Sequence, residues 1–202
     1  MWRNRVHISF GFCLLAGWFA AVNGWRPLVT VLGAAAVHEA GHWVALRALG
    51  ARIRALRIGP LGAVLETDAR SLSYGRELAA VLAGPGANLL CAWVLTLAGC
   101  GQTALIGAHL VLGAFNLLPV GPLDGGRALR LALSWRWGPA GEEVARWVSA
   151  AASLAAAAGL GALICYTGGS LWLLPAMGGL LAGAAEDLLR GKAKKGGLSP
   201  PL

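Results

Sequence analysis

Apolar positions along the chain gather into six runs, roughly 8–25, 27–49, 79–100, 103–118, 144–168 and 171–188, separated by intervals where Arg, Gly and Pro concentrate. Each run approaches the ~17–25 residues that cross a bilayer at ~1.5 Å rise per residue. The 103–118 run is the marginal one. None has the period-2 alternation of a barrel strand, and backbone groups in lipid must be satisfied internally, so each run reads as a helix. The pattern predicts an all-α integral membrane protein with about six transmembrane helices. Composition agrees: 57% hydrophobic and 13% charged residues with a mean hydropathy of +0.64 lie outside the range of an ordinary soluble domain.

Sorting the loops alternately onto two sides of a bilayer places sixteen of the 17 Lys and Arg residues on one side, and Arg26 alone on the other. By the positive-inside rule both termini and the two long loops are cytoplasmic, and the net charge of +8 reflects topology, with no nucleic-acid partner implied. The first run follows Arg3 and Arg5 but lacks a small-residue cleavage site before Trp25, so it is expected to be a retained helix. Trp2, Trp25, Trp135, Trp137, Trp147 and Trp172 fall near run ends and suit an interfacial belt. Cys13, Cys91, Cys100 and Cys165 are scattered singly and read as small buried hydrophobes, without a disulfide framework or thiolate metal site.

No soluble second domain is expected: residues 1–190 read as one polytopic domain and 191–202 as a short cytoplasmic tail. Interval 51–78 has apolar-alternating pieces around Gly59-Pro60 and Gly62. Two strands joined by a turn, forming a small sheet at the membrane surface, and an amphipathic loop whose arginines meet anionic lipid both fit it. Interval 119–143 carries "LLPVGPLDGGRAL", where a helix should end and the backbone turn sharply.

The stretch "VHEAGH" puts two histidines and a glutamate inside the second run. Residues four apart share a helix face, so His38 and His42 can present their imidazoles to one metal while Glu39 faces a water on that metal. Ionisable groups in mid-span cost on the order of 2.5–3.5 kcal/mol or more unless paired or wet, which makes a chance occurrence a poor explanation. A catalytic zinc usually takes three protein ligands and keeps one position open, so a third ligand is owed. His7 sits at an entry flank and reads as interfacial, and His109 reads as a hydrogen-bonded helix-packing residue. Glu66, Asp68, Glu77, Glu142, Glu143, Glu186 and Asp187 fall in polar intervals or at run ends, where solvation is the default. Asp124 differs, lying among apolar residues in a Pro-Gly framework that could fold the chain back into the membrane.

H-E-x-x-H in one run, "AGPGANLL" at 83–90 and N-x-x-P-x-x-P-x-D-G-G at 116–126, in that order, resemble the site-2 protease family of intramembrane zinc metalloproteases. The compact six-run layout resembles its bacterial sporulation-type branch, which processes a membrane-associated pro-sigma factor. The resemblance implies one zinc per chain on His38, His42 and Asp124, Glu39 as general base, and Asn88 and Asn116 as substrate-binding amides near the site. Either asparagine could instead tie two helices together. Gly125 and Gly126 would permit the tight turn that aims Asp124 at the metal. It also implies a membrane-spanning or membrane-associated protein substrate, the lipid bilayer and a separate regulatory membrane protein as partners, in a bacterial cell membrane. Unlike relatives in the family, the sequence shows no PDZ domain between runs and no nucleotide-sensing CBS domain.

The expected chemistry is peptide-bond hydrolysis near the cytoplasmic side of the membrane, with the 52–68 segment able to catch an unwound substrate by strand addition. A divalent-metal transporter is the reading from another class, since intramembrane His and acidic residues also mark ion pathways. It would spread ligands over several spans and often carry an internal repeat, and neither is present. A catalytically inactive substrate-binding relative would have no use for Glu39.

Overall fold

A computed structural model describes residues 6–51, 53–59, 62–67, 72–167 and 173–195. Arg3, Arg5, Arg52, Pro60, Asp68, Arg70, Trp2, Trp172 and the last seven residues of the expected tail lie outside the described residues. The chain divides into two compact units, residues 1–116 and 117–202.

The first unit opens with strand β1 (Val6–Ile8), followed by helices α1 (Phe10–Asn23) and α2 (Trp25–Ala48), strands β2 (Ile53–Gly59) and β3 (Gly62–Thr67), and helices α3 (Tyr74–Leu97) and α4 (Thr103–Asn116). Ser9 caps α1, its Oγ accepting the Phe12 N–H at 3.2 Å. Both long helices end the same way: Gly50 and Gly99 adopt positive φ (83° and 65°), and the next residue's N–H returns to a carbonyl five residues back, Ala51 to Leu46 and Cys100 to Leu95. A glycine takes this left-handed conformation without a Cβ penalty, so the chain reverses directly after each helix.

Of the two readings that fit interval 51–78, the structure contains the strand pair. β2 and β3 run antiparallel, with Leu56 opposite Leu65 and Gly59 opposite Gly62, and a bulge between Ile53 and Ala55. β1, which the apolar runs did not foretell, adds to β2 in parallel with Val6 opposite Leu56. The sheet order β1-β2-β3 leaves β3 at an edge. Leu46, Ala51 and Ala80 form a small core, with Leu49, Ile53, Leu65 and Leu72 packed against it, which anchors the hairpin to the end of α2 and the start of α3.

The second unit holds α5 (Asp124–Trp137), α6 (Pro139–Tyr166) and α7 (Leu174–Lys195). Buried positions Gly141, Ala145, Ser149, Ser153 and Ala157 recur every four residues along α6, a stripe of small side chains that lets neighbouring helices approach closely. Asp187 of α7, expected at a solvated run end, is instead 5% exposed. Ser149 donates to its Oδ2 at 2.6 Å, and the Arg130 guanidinium lies 3.9 Å from its Oδ1. A buried carboxylate needs such partners.

Two further expectations, the span count and the buried cysteines, are not borne out. Six spans are not established: among the described helices, α3 and α6 are long and apolar enough to cross a membrane by length and composition, while the apolar α1 and α4 have 14 residues each. Fourteen residues rise only ~21 Å, short of the ~30 Å hydrocarbon layer. Interval 119–143 turns sharply before Asp124, as expected, and then holds α5 over 124–137. The cysteines are all free, but Cys13 and Cys165 are exposed and Cys91 and Cys100 half-buried, not core residues. Large apolar side chains such as Phe10, Leu14, Trp93 and Leu97 are more than half exposed, as faces turned toward a non-aqueous surround would be.

Candidate metal centre

The centre is built where α2 passes α3 in the first unit. His38, Glu39 and His42 lie in the last three turns of α2, with His38 buried (6% exposed) and Glu39 and His42 half-buried. The Nε2 atoms of His38 and His42 are 3.2 Å apart, and their rings meet edge to face. Two nitrogens bound to one tetrahedral zinc at ~2.0–2.1 Å would stand ~3.3 Å apart, so the pair has the spacing that a shared zinc requires.

Each ring is held from behind by α3. The Ala80 carbonyl accepts a hydrogen bond from His42 Nδ1 at 2.9 Å. A carbonyl only accepts, so the proton of the neutral ring sits on Nδ1 and the lone pair is on Nε2, facing His38. Asn88 Nδ2 is 3.2 Å from His38 Nδ1. The contacts pair His42 with Ala80 and His38 with Asn88, so the helices pass in opposite directions and residues 80, 84 and 88 form the face that α2 sees.

The element "AGPGANLL" makes this approach close. A Cβ on Gly84 would overlap His42 Nε2, and one on Gly41 would stand 2.5 Å from the Ala83 carbonyl oxygen and 2.8 Å from the Ala87 Cβ. Glycine at both positions is therefore a packing requirement of the helix pair. Pro85, buried inside α3, offers no N–H to the carbonyl one turn back and loosens the helix in the turn that meets His42.

Asn88, expected as a substrate-facing amide, is 0% exposed, and its Oδ1 lies 3.1 Å from His109 Nδ1 on α4. His109, expected as a packing residue, is 2% exposed, and its Nε2 is 3.4 Å from Cys91 Sγ. Sequence reasoning did not connect these two residues to His38. The available signal was the four-residue step from Gly84 to Asn88, which repeats the step between the histidines. Asn116 is half-buried at the end of α4, its Nδ2 donating to the Leu112 carbonyl at 3.0 Å.

Asp124 belongs to the second unit, half-buried as the first residue of α5. A turn closed by Leu123 N–H to the Val120 carbonyl at 2.9 Å leads into it. Gly125 and Gly126 follow inside the helix, and neither has positive φ. Their role differs from the turn expected of them: a Cβ on Gly125 would strike the Leu117 backbone, and one on Gly126 the Val120 carbonyl. They let the start of α5 lie directly on the loop that precedes it. Arg130 reinforces that loop, donating to the Gly121 carbonyl at 3.0 Å.

The sequence pattern of Peptidase family M50 matches residues 27–109 and 102–159, which together exceed half the chain. The chain belongs to peptidase family M50. Rip3 of Mycobacterium tuberculosis, named a zinc metalloprotease, is 30% identical over 139 residues, covering 62% of this chain and 34% of Rip3. Zinc metalloprotease MJ0392 of Methanocaldococcus jannaschii is 31% identical over 125 residues, 56% of this chain and 36% of that protein. The chain thus spans about a third of the length of these curated relatives. The solved site-2 protease from Methanocaldococcus jannaschii shares the fold, with a TM-score of 0.66 at 22% identity over 90% of this chain and 89% of that one.

Proposed function

We propose that this family M50 chain is a zinc-dependent intramembrane endopeptidase that hydrolyses a peptide bond of a membrane-spanning or membrane-associated protein near the cytoplasmic side. The observation that carries it is the imidazole pair, with Nε2 atoms 3.2 Å apart and Glu39 on the same turn. His38, His42 and Asp124 are the proposed ligands of one zinc, two imidazoles and a carboxylate leaving the open position that hydrolysis needs. Zinc held there would supply Lewis-acid polarisation of a carbonyl and acidify water. Glu39 is the proposed base, placed to take a water proton and deliver it to the leaving amine. Asn116 is the proposed amide contact to substrate, and β3, at the sheet edge, the strand that receives it.

The apolar helices α3 and α6 and the exposed apolar side chains support membrane embedding, and cytoplasmic termini rest on the basic asymmetry that a six-span layout would give. A bacterial membrane, a pro-sigma factor as substrate and a separate regulatory membrane protein rest on motif resemblance alone. The test is co-expression with membrane substrates, wild type against Glu39→Gln. Glu39→Gln keeps both histidines, so zinc should stay bound while the cleaved fragment falls by a factor on the order of 10² or more. Full cleavage by Glu39→Gln refutes the mechanism. Zinc flux across reconstituted vesicles, abolished by His38→Ala, replaces it with metal transport.

A further inference from the structure

Behind His38 runs an unbroken line of polar side chains. His38 Nε2 is 3.2 Å from His42 Nε2, His38 Nδ1 is 3.2 Å from Asn88 Nδ2, Asn88 Oδ1 is 3.1 Å from His109 Nδ1, and His109 Nε2 is 3.4 Å from Cys91 Sγ. Asn88 and His109 are 0% and 2% exposed, so water does not substitute for these contacts. The direction of the first link is fixed, because the Ala80 carbonyl takes the His42 Nδ1 proton and leaves Nε2 of that neutral ring as an acceptor.

Beyond His38 the line has two polarities. In one, Cys91 S–H donates to His109 Nε2, His109 Nδ1–H to Asn88 Oδ1, the Asn88 amide to His38 Nδ1, and His38 Nε2–H to His42 Nε2. In the other, the three arrows beyond His38 are reversed, and no proton lies between the two Nε2 atoms. His38 Nδ1–H donates to Asn88 Oδ1, the amide to His109 Nδ1, and His109 Nε2–H to Cys91 Sγ. The two differ by a half-turn of the Asn88 amide, whose oxygen and nitrogen fill the same space, and by the tautomers of two histidines. Proton count and charge are equal: His38 gives up the Nε2 proton and gains one at Nδ1, and His109 does the opposite.

Only the second polarity leaves a lone pair on His38 Nε2, the atom that must bind a cation shared with His42. We infer that Asn88 and His109 are positioning residues: metal binding turns the Asn88 amide over and switches the tautomer of His109, a residue that is no ligand. The inference rests on the zinc reading above. A metal-ligating histidine commonly donates its other N–H to a fixed acceptor, and such partners set how firmly the metal is held. Here the acceptor is itself reversible, which couples the metal to α4 as well as to α3.

The test uses the full chain in detergent, with 15N-labelled histidine and long-range 1H–15N correlations that report which ring nitrogen carries the proton. His109→Asn assigns the His109 signals. In protein stripped by chelator His38 is expected protonated at Nε2 and His109 at Nδ1; with zinc the two exchange, while His42 stays protonated at Nδ1. A His109 tautomer that is the same with and without zinc overturns the inference. Zinc competition against a chelator gives a second readout. Asn88→Asp presents an acceptor to His38 without any turn, and its zinc affinity should hold within about threefold of wild type or tighten, whereas Asn88→Ala should lose about 10–100-fold. Equal losses in both variants would mark Asn88 as packing only and overturn the positioning role. Should Asn88→Ala fail to fold, the wild-type tautomers decide. Zinc binding no tighter in wild type than in His38→Ala would instead refute the zinc reading itself.

Discussion

Gly84→Ala adds one methyl group where the structure has no room for it. The new Cβ would overlap His42 Nε2 and stand 2.6 Å from both Cδ2 and Cε1 of the same ring. Carbon atoms pack at ~3.5–4.0 Å, so the ring must withdraw by about 1 Å or α2 and α3 must separate by as much. Withdrawal breaks the 2.9 Å bond from His42 Nδ1 to the Ala80 carbonyl and ends the 3.2 Å facing of the two Nε2 atoms. Separation costs the overpacking penalty of ~1–3 kcal/mol. Either way one imidazole leaves the metal, and zinc affinity should fall by more than the ~10–100-fold typical of losing an outer partner. The neighbouring Gly86→Ala is the control: its Cβ meets nothing within 4 Å, and zinc affinity should match wild type. In a helix interior it should add ~0.5–1 kcal/mol of stability. The assay is chelator competition on purified chain, with zinc counted by mass spectrometry. Wild-type zinc affinity in a folded Gly84→Ala chain would refute the placement of His42 over Gly84.

Two further substitutions probe the second unit. Asp124→Ala should lower bound zinc in the purified protein, and unchanged zinc content would remove Asp124 from the ligand set. Asp187→Ala takes away the acceptor of a 2.6 Å bond from buried Ser149 and the partner of Arg130, so thermal unfolding should drop by the equivalent of ~1.5–3 kcal/mol, and Asp187→Asn, which keeps an acceptor, by less; an unchanged midpoint would show that the carboxylate holds nothing together.

What the sequence made legible was whatever is local. His38, Glu39 and His42 could be placed on one helix because a four-residue step fixes their geometry within a single turn. Alternation bounded by Gly and Pro pointed to β2 and β3 but fitted an amphipathic loop equally, because a short alternating segment does not say whether it finds a partner strand. The role of "AGPGANLL" was not, since glycine at 84 acquires its meaning only from a histidine 42 positions earlier on an antiparallel helix. Three-residue β1 is too short to carry a period, and its parallel pairing to β2 is a long-range choice. Helix α5 escaped because "DGGRALRLALSWRW" opens on two glycines and carries three arginines, so it resembles a polar loop; its glycines are tolerated because they touch backbone. Asp187 was misplaced because its solvation depends on Ser149 and Arg130, 38 and 57 positions away, and nothing adjacent in sequence announces them.

The geometry of the histidine pair also ties metal to stability. Two neutral rings with Nε2 atoms 3.2 Å apart share one proton between them or repel, whereas a cation between the nitrogens binds both α2 residues to the α3 atoms behind them. Anything that binds the folded chain and not the unfolded one stabilises it by mass action, ~2.7 kcal/mol at a hundred times Kd. At ~2–4 °C per kcal/mol for a chain of this size, zinc at that excess should raise the unfolding midpoint by about 5–10 °C. Glu39→Gln should show the same rise, because the role proposed for Glu39 is that of a base and not a ligand. His38→Ala should show almost none. The two variants therefore separate holding the metal from using it, by a measurement that needs no substrate. A midpoint in wild type that zinc does not move, or one that zinc raises equally in His38→Ala, would mean that the pair on α2 is not where the metal binds.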